Sequence, residues 1–387
     1  MGDVAIPGRK IDPKRAGAPV QHVQGRAAVG EVEEVSARYR RLLAGARAGE
    51  YAARPQETWG LEIAGYLYLG GLGAGAFAVA VILEWLGFGL STTYAGLGGG
   101  RVWDWSKALL FWGPLAAAAG ALLLILDLGR NWFLFFTAGR NPRTSWMARG
   151  FSILLSFIVT GCAVTAVSVL APQSKASSLV LWRGVEAIAV ASAVGTAFYT
   201  GMLLRSMSFI PAWNTLWLPL LFLASALSTG SMGVLIGSLA SPALGVDPAS
   251  PERLAQAIEV LEPALIVAEA VLLALYVRHL VAAAPEARMS AAMLLRGSWR
   301  YPFWVGVVGC SLALPLLLDV VGIFARSLTL GALTAVSVLV GGFVLRLAVL
   351  GVGVKERPPL YRFGEWRGRH MLDLRSRTEA EVMTRRC

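Results

Sequence analysis

Between residues 59 and 354 the chain is almost wholly apolar, in eight blocks each long enough to cross a bilayer. A hydrocarbon core about 30 Å thick takes roughly 20 helical residues to span, and inside it only helices or closed barrels satisfy their backbone hydrogen bonds. The blocks run 59–88, 104–128, 150–170, 179–204, 213–239, 257–280, 301–323 and 328–352. Short separators rich in Gly, Pro and Asn, such as GRNPRTS and SPALGVDPASPE, leave no room for a separate soluble domain. The expected fold is an all-α integral membrane protein of eight transmembrane helices. A polar tail (1–57), a membrane domain (58–354) and a basic tail (355–387) divide the chain.

Charged residues make up 15% of the chain, against roughly a quarter in soluble domains. The 43 glycines suit helices that associate in lipid through small residues. The net charge of +11 sits in loops and tails around the apolar blocks, so it reads as membrane topology and not as a nucleic-acid surface. Arg130, Arg140, Arg143, Arg149, Arg205, Arg288, Arg296 and Arg300 fall on the side of the termini, which the positive-inside rule puts in the cytoplasm. The N-terminal segment carries no short apolar run before a small-residue cleavage site, so no signal peptide is expected. Cys162, Cys310 and Cys387 are too scattered for a cluster, and no metal site of the chain's own is expected. His279, at the end of the sixth block, is the only histidine in the blocks, so a haem held between facing imidazoles is excluded.

Ionisable residues within a span are costly and mark functional candidates. In the first block Glu62, Tyr66, Gly70 and Gly73 share a helical face, offering a carboxylate and a phenol above a flat surface where a planar ring could lie. Interfacial anchoring by Tyr66 with a snorkelling Glu62 is the plain alternative. Tyr199, near the end of the fourth block, lies at a similar depth on the termini side, where its phenol needs a hydrogen-bond partner. Asp127 and Arg130 close the second block, as an ion pair or part of a site. The sixth block carries Glu259, Glu262 and Glu269 with Pro263 among them, the seventh Asp319 and the eighth Arg346. Glu259 and Glu262 stand near a helix start, where a solvated carboxylate is the plain reading, whereas Glu269 is deep. Glu186 and Arg183 form an expected pair near the far surface, and His279 an interfacial imidazole.

WGLEIAGYLYLGGLGAGAF in the first block, LDLGRNWFLFFTAGRNPRTSW after the second and YTGMLLRSMSFIPAWNTLWLPLLFLASALSTG across the fourth and fifth resemble one known family. FWVGVVGCSLALPLLL and GGFVLRLAVLGVG continue the likeness to nearly the end of the membrane domain. They are similar to the polysulfide reductase membrane subunits, also called the NrfD-like family. The resemblance implies a haem-free protein of eight helices in two four-helix bundles. It also implies a quinone, menaquinone or ubiquinone, between the first four helices. An iron–sulfur subunit docked above would link it to a further catalytic redox subunit. Tyr199 matches the family's pocket-facing tyrosine, and the stretch holding Asp127, Arg130, Asn141 and Arg143 its polar loop near the partner. Where relatives have His and Asn in the first helix, this chain offers Tyr66 and apolar neighbours.

The sequence thus leads to a quinone-binding subunit of a respiratory oxidoreductase in the inner membrane, with Tyr199 and Tyr66 bonding the quinone and Glu62 exchanging protons. Glu269, Asp319 and Arg346 are candidates for a proton path. A structural anchor without quinone chemistry is the rival, and a secondary transporter is disfavoured because no internal repeat marks one.

Overall fold

The computed structural model describes residues 55–56, 58–89, 107, 111–127, 146–170, 178–240, 249–324 and 327–356, the side chains of Asp127, Leu179, 249–251, 323–324 and Leu328 excepted. All lie in one compact unit, Ala53–Glu356. Apart from residues 55–56 and 355–356, the two tails expected from the sequence fall outside the described residues.

The described residues build helices α1 (Leu61–Trp85), α2 (Gly113–Asp127), α3 (Trp146–Leu170), α4 (Leu179–Arg205), α5 (Trp217–Ala240), α6 (Ala249–Ala282) and α7 (Pro285–Leu295). A π-helical segment, Pro302–Ala313, then runs into α8 (Leu314–Phe324), and α9 (Leu328–Gly351) completes the domain. Seven of these helical stretches are long and apolar enough to cross a membrane, and the apolar helix over Gly113–Leu126 is shorter. Most of the first half of the second expected span, 104–110, lies outside the described residues.

α1 is the hub, packed on α2, α4, α5 and α9. Its glycines explain how one helix holds so many neighbours, since without a hydrophobic drive between helices in lipid, contact depends on close backbone approach. Gly73 and Gly113 face one another so tightly that a Cβ on either would strike the other's carbonyl oxygen. Gly75 and Gly230 make the same backbone-to-backbone contact between α1 and α5. The surface expected from the sequence to admit a planar ring is thus, at Gly73, filled by α2.

At the termini end, the entry and exit of the domain are clasped. The Gln56 amide donates to the carbonyls of Trp59 (2.9 Å) and Leu350 (3.0 Å), and its oxygen accepts from the Trp59 N–H at 2.7 Å. The backbone N–H of Gln56 donates to Gly353 O at 2.7 Å, and Trp59 stacks on Trp213, whose indole N–H donates to Val349 O at 2.9 Å. Every buried amide or indole named here has a partner, as burial demands.

Two features were not legible in the apolar pattern. α7 lies where a polar loop was expected; Pro285 at its first turn and Glu286 beside it are start signals that periodicity alone passed over. The seventh span opens as a π-helix. Pro315 lies just beyond it and brings no N–H to the helix, so one carbonyl a turn earlier loses its regular partner. Pro263, in contrast, is carried within the continuous α6.

Candidate functional site

Tyr66 and Tyr199 are brought together where α1 meets α4. Both side chains are buried, and their phenols are close enough to interact electrostatically. The contact is continued one turn along, where Gly70 faces the Thr200 methyl across ordinary van der Waals distance. Gly150 of α3 makes the room for the second phenol, because the Tyr199 ring occupies the space that a Cβ there would fill. A ring clamped between helices keeps its hydroxyl at a fixed place. Neither hydroxyl has a hydrogen-bond partner among the described residues, and neither oxygen is among their fully buried unpartnered atoms. Each phenol can donate one hydrogen bond.

Glu62 is exposed in the first turn of α1, where a carboxylate is favoured by the helix dipole, one turn from Tyr66. The Asp127 side chain, Arg130, Asn141 and Arg143 fall outside the described residues.

A second polar constellation lies in the other half of the domain. Arg346 of α9 is fully buried, and its Nη1 donates to Ser225 Oγ at 2.7 Å and to Gly342 O at 2.8 Å. The guanidinium lies over the Phe222 ring at 5.3 Å and the Tyr68 ring at 5.7 Å. It reaches α1 at Gly71, where a Cβ would come within 3.3 Å of Nη2. Glu269 of α6 sits across Ser225 from it, and Ser311 of the π-helical segment donates to Glu269 Oε1 at 3.4 Å. Ser225, Ser311 and Tyr68 did not stand out in the sequence, because isolated hydroxyls within apolar runs carry no spacing signal.

Within α6, α8 and α9, five buried polar atoms have no hydrogen-bond partner among the described residues: Glu262 Oε1, Glu269 Oε2, Tyr276 OH, Asp319 Oδ2 and Arg346 Nε. Glu262, Glu269 and Tyr276 recur every seven residues, so they share one face of α6 about 10 Å apart along its axis. Asp319 of α8 is half-buried and interacts electrostatically with Glu262 and Glu259. Glu262 is buried, not solvated as its place near a helix start implied, while Glu259 is exposed. Tyr276 escaped sequence reasoning, although its seven-residue offset from Glu269 was readable. Near the opposite membrane surface from the clasp, Glu186 accepts from the Trp85 indole at 2.7 Å and pairs with Arg183 at 3.5 Å, tying α4 to α1.

The family model described as "Polysulphide reductase, NrfD" matches residues 50–355. The C chain of polysulfide reductase from Wolinella succinogenes is 32% identical over 312 residues, which cover 76% of this chain and 94% of that protein. Protein NrfD of Escherichia coli (strain K12) is 30% identical over 315 residues, covering 76% and 95% respectively. With a helical membrane domain matched along nearly its whole length, the chain belongs to the NrfD polysulphide reductase family of membrane proteins.

Proposed function

We propose that this chain is the quinone-reactive membrane subunit of a respiratory oxidoreductase complex. In this reading its spans number eight, in two four-helix bundles within the inner membrane, with both termini cytoplasmic. Electrons would pass between the quinone pool and an iron–sulfur subunit that serves a further catalytic redox subunit. Kinship with a polypeptide of a polysulfide reductase supports membership of such an assembly. The observation that carries the reading is the pair of phenols, Tyr66 and Tyr199, held at one helix contact with no partner for either hydroxyl among the described residues.

A bound quinol would supply two electrons and two protons. Tyr199 and Tyr66 would hold its ring oxygens by hydrogen bonds, fixing orientation, and Glu62 would exchange protons with the aqueous side. Tyr199→Phe in the purified complex is expected to lower kcat/KM for a soluble quinol analogue about tenfold, the worth of one hydrogen bond. The subunits should remain associated. Unchanged kinetics would remove Tyr199 from the site, and a complex that never retains quinone would favour the anchor.

The unsatisfied carboxyls favour a second function in the same chain, proton translocation through the α6 half. Buried groups of this kind need water or a proton partner, and aligned carboxylates in a membrane suit proton relays. Glu262, Glu269 and Tyr276, with Asp319 at one end and Arg346 at the centre, would be its stations. In proteoliposomes Glu269→Gln is expected to lower the protons moved per electron while quinol oxidation continues. An unchanged ratio would dismiss the path.

A further inference from the structure

At the membrane surface opposite the Gln56 clasp, the last turns of α1 and the first membrane turns of α6 leave a groove of about 660 Å³ floored by α5. Its volume is that of a small-molecule pocket, yet its wall is apolar throughout except for Gln256. Ile82, Leu83 and Leu86 form one side, and Val260, Leu261 and Ala264 the other. Leu86 and Val260 are strongly exposed, so the groove opens sideways toward the bilayer and not into the protein core.

Its outer end has a different chemistry. Gln256, Ala257, Val260 and Ala264 lie three, four, seven and eleven residues beyond Arg253, so with it they form a single stripe along α6. That stripe is cationic at the surface, amide-bearing one turn in and apolar below. Arg253 and Gln256 are both exposed, and neither has a partner among the described residues. Two other cations stand near this end of α1, and both are already paired: Lys107 with Glu84 at 3.2 Å, and Arg183 with Glu186 at 3.5 Å. Among the described residues, Arg253 is therefore the charge left to meet an anion at the mouth.

We infer that this groove is a site for one anionic glycerophospholipid, with an acyl chain between α1 and α6 and the phosphate at Arg253 and Gln256. An apolar slot that ends in a basic residue at the membrane surface matches that molecule at both ends. The phenol pair does not compete for the same space, because Tyr66 and Ile82 are 16 residues apart on α1, about 24 Å along the helix. The site stands whether or not the phenols hold a quinone.

The test uses the complex with its native partners in phosphatidylcholine vesicles doped with phosphatidylglycerol carrying a photoreactive acyl chain. Cross-links should concentrate on residues 79–88 and 256–265, and unlabelled phosphatidylglycerol should compete for them better than phosphatidylcholine. Arg253→Ala is expected to reduce that preference about fivefold, the share of one basic residue at a membrane surface. Ala264→Trp should remove the cross-links by filling the slot, and Val260→Trp provides an independent variant should the first not fold. Cross-links spread evenly onto the exposed face of α3, around Leu155 and Val159, would overturn the site. So would equal competition by phosphatidylcholine, or displacement by a long-chain quinone and not by phosphatidylglycerol.

Discussion

Gly75→Leu is expected to abolish accumulation of the folded membrane domain, with a cost above about 3 kcal/mol. A Cβ at this position would lie on the backbone carbonyl of Ala226, and Gly230 across the contact already presses on Gly75 itself. Backbone atoms cannot step aside as a side-chain tip can, so α1 and α5 would have to separate. Because α1 also holds α2, α4 and α9, the separation would spread through the domain. Gly184→Ala and Gly331→Ala are the matched controls, since a Cβ at either meets nothing within 4 Å. Both should be neutral or slightly stabilising, as alanine favours a helix over glycine. Yield of monodisperse protein in detergent and its thermal midpoint measure all three. A Gly75→Leu protein with wild-type yield and midpoint would refute the close contact as the seam of the fold.

Arg346→Met should destabilise the domain by about 3–5 kcal/mol, the usual result of removing one member of a buried polar pair. The guanidinium bonds Ser225 and lies against Phe222 and Tyr68. Without it Glu269 loses the cation across Ser225 and keeps only hydroxyls, those of Ser311 and Ser225, beside its carboxyl. Arg346→Lys is not a rescue, because an ammonium cannot reach several acceptors in one plane or stack between two rings. Adding Glu269→Leu to Arg346→Met should recover part of the loss, giving a coupling of at least about 1 kcal/mol in a double-mutant cycle. Additive losses would mean that the two residues act separately, and the central station of the proposed proton path would fall with that result.

The two sites differ in how readily the sequence disclosed them. Tyr199 and Tyr66 were legible because each is a polar group at a definite depth in an apolar block, and membrane depth is countable from the helix ends. Their juxtaposition was not, since it depends on Gly150 of a third helix yielding room for the Tyr199 ring. Glu269 and Arg346 were likewise visible as charges in hydrocarbon, but Ser225, Ser311 and Tyr68 acquire meaning only from what lies beside them. Gly73 illustrates the opposite failure. A small residue on a shared face suggests space, and the structure spends that space on the carbonyl of Gly113.

The order of residues was enough to identify a helical membrane protein of the NrfD family, without histidine pairs for haem, carrying carboxyls and a guanidinium at membrane depth. Those conclusions follow from hydrocarbon thickness and desolvation, which act on each segment alone. Folding in three dimensions settled which helix faces meet, that Glu262 is buried beside an exposed Glu259, and that α1 is the axis of the domain. In lipid every helix face can be apolar, so hydrophobic periodicity does not choose the inward one. That choice falls to glycine contacts and buried hydrogen bonds, whose partners lie far apart in the chain.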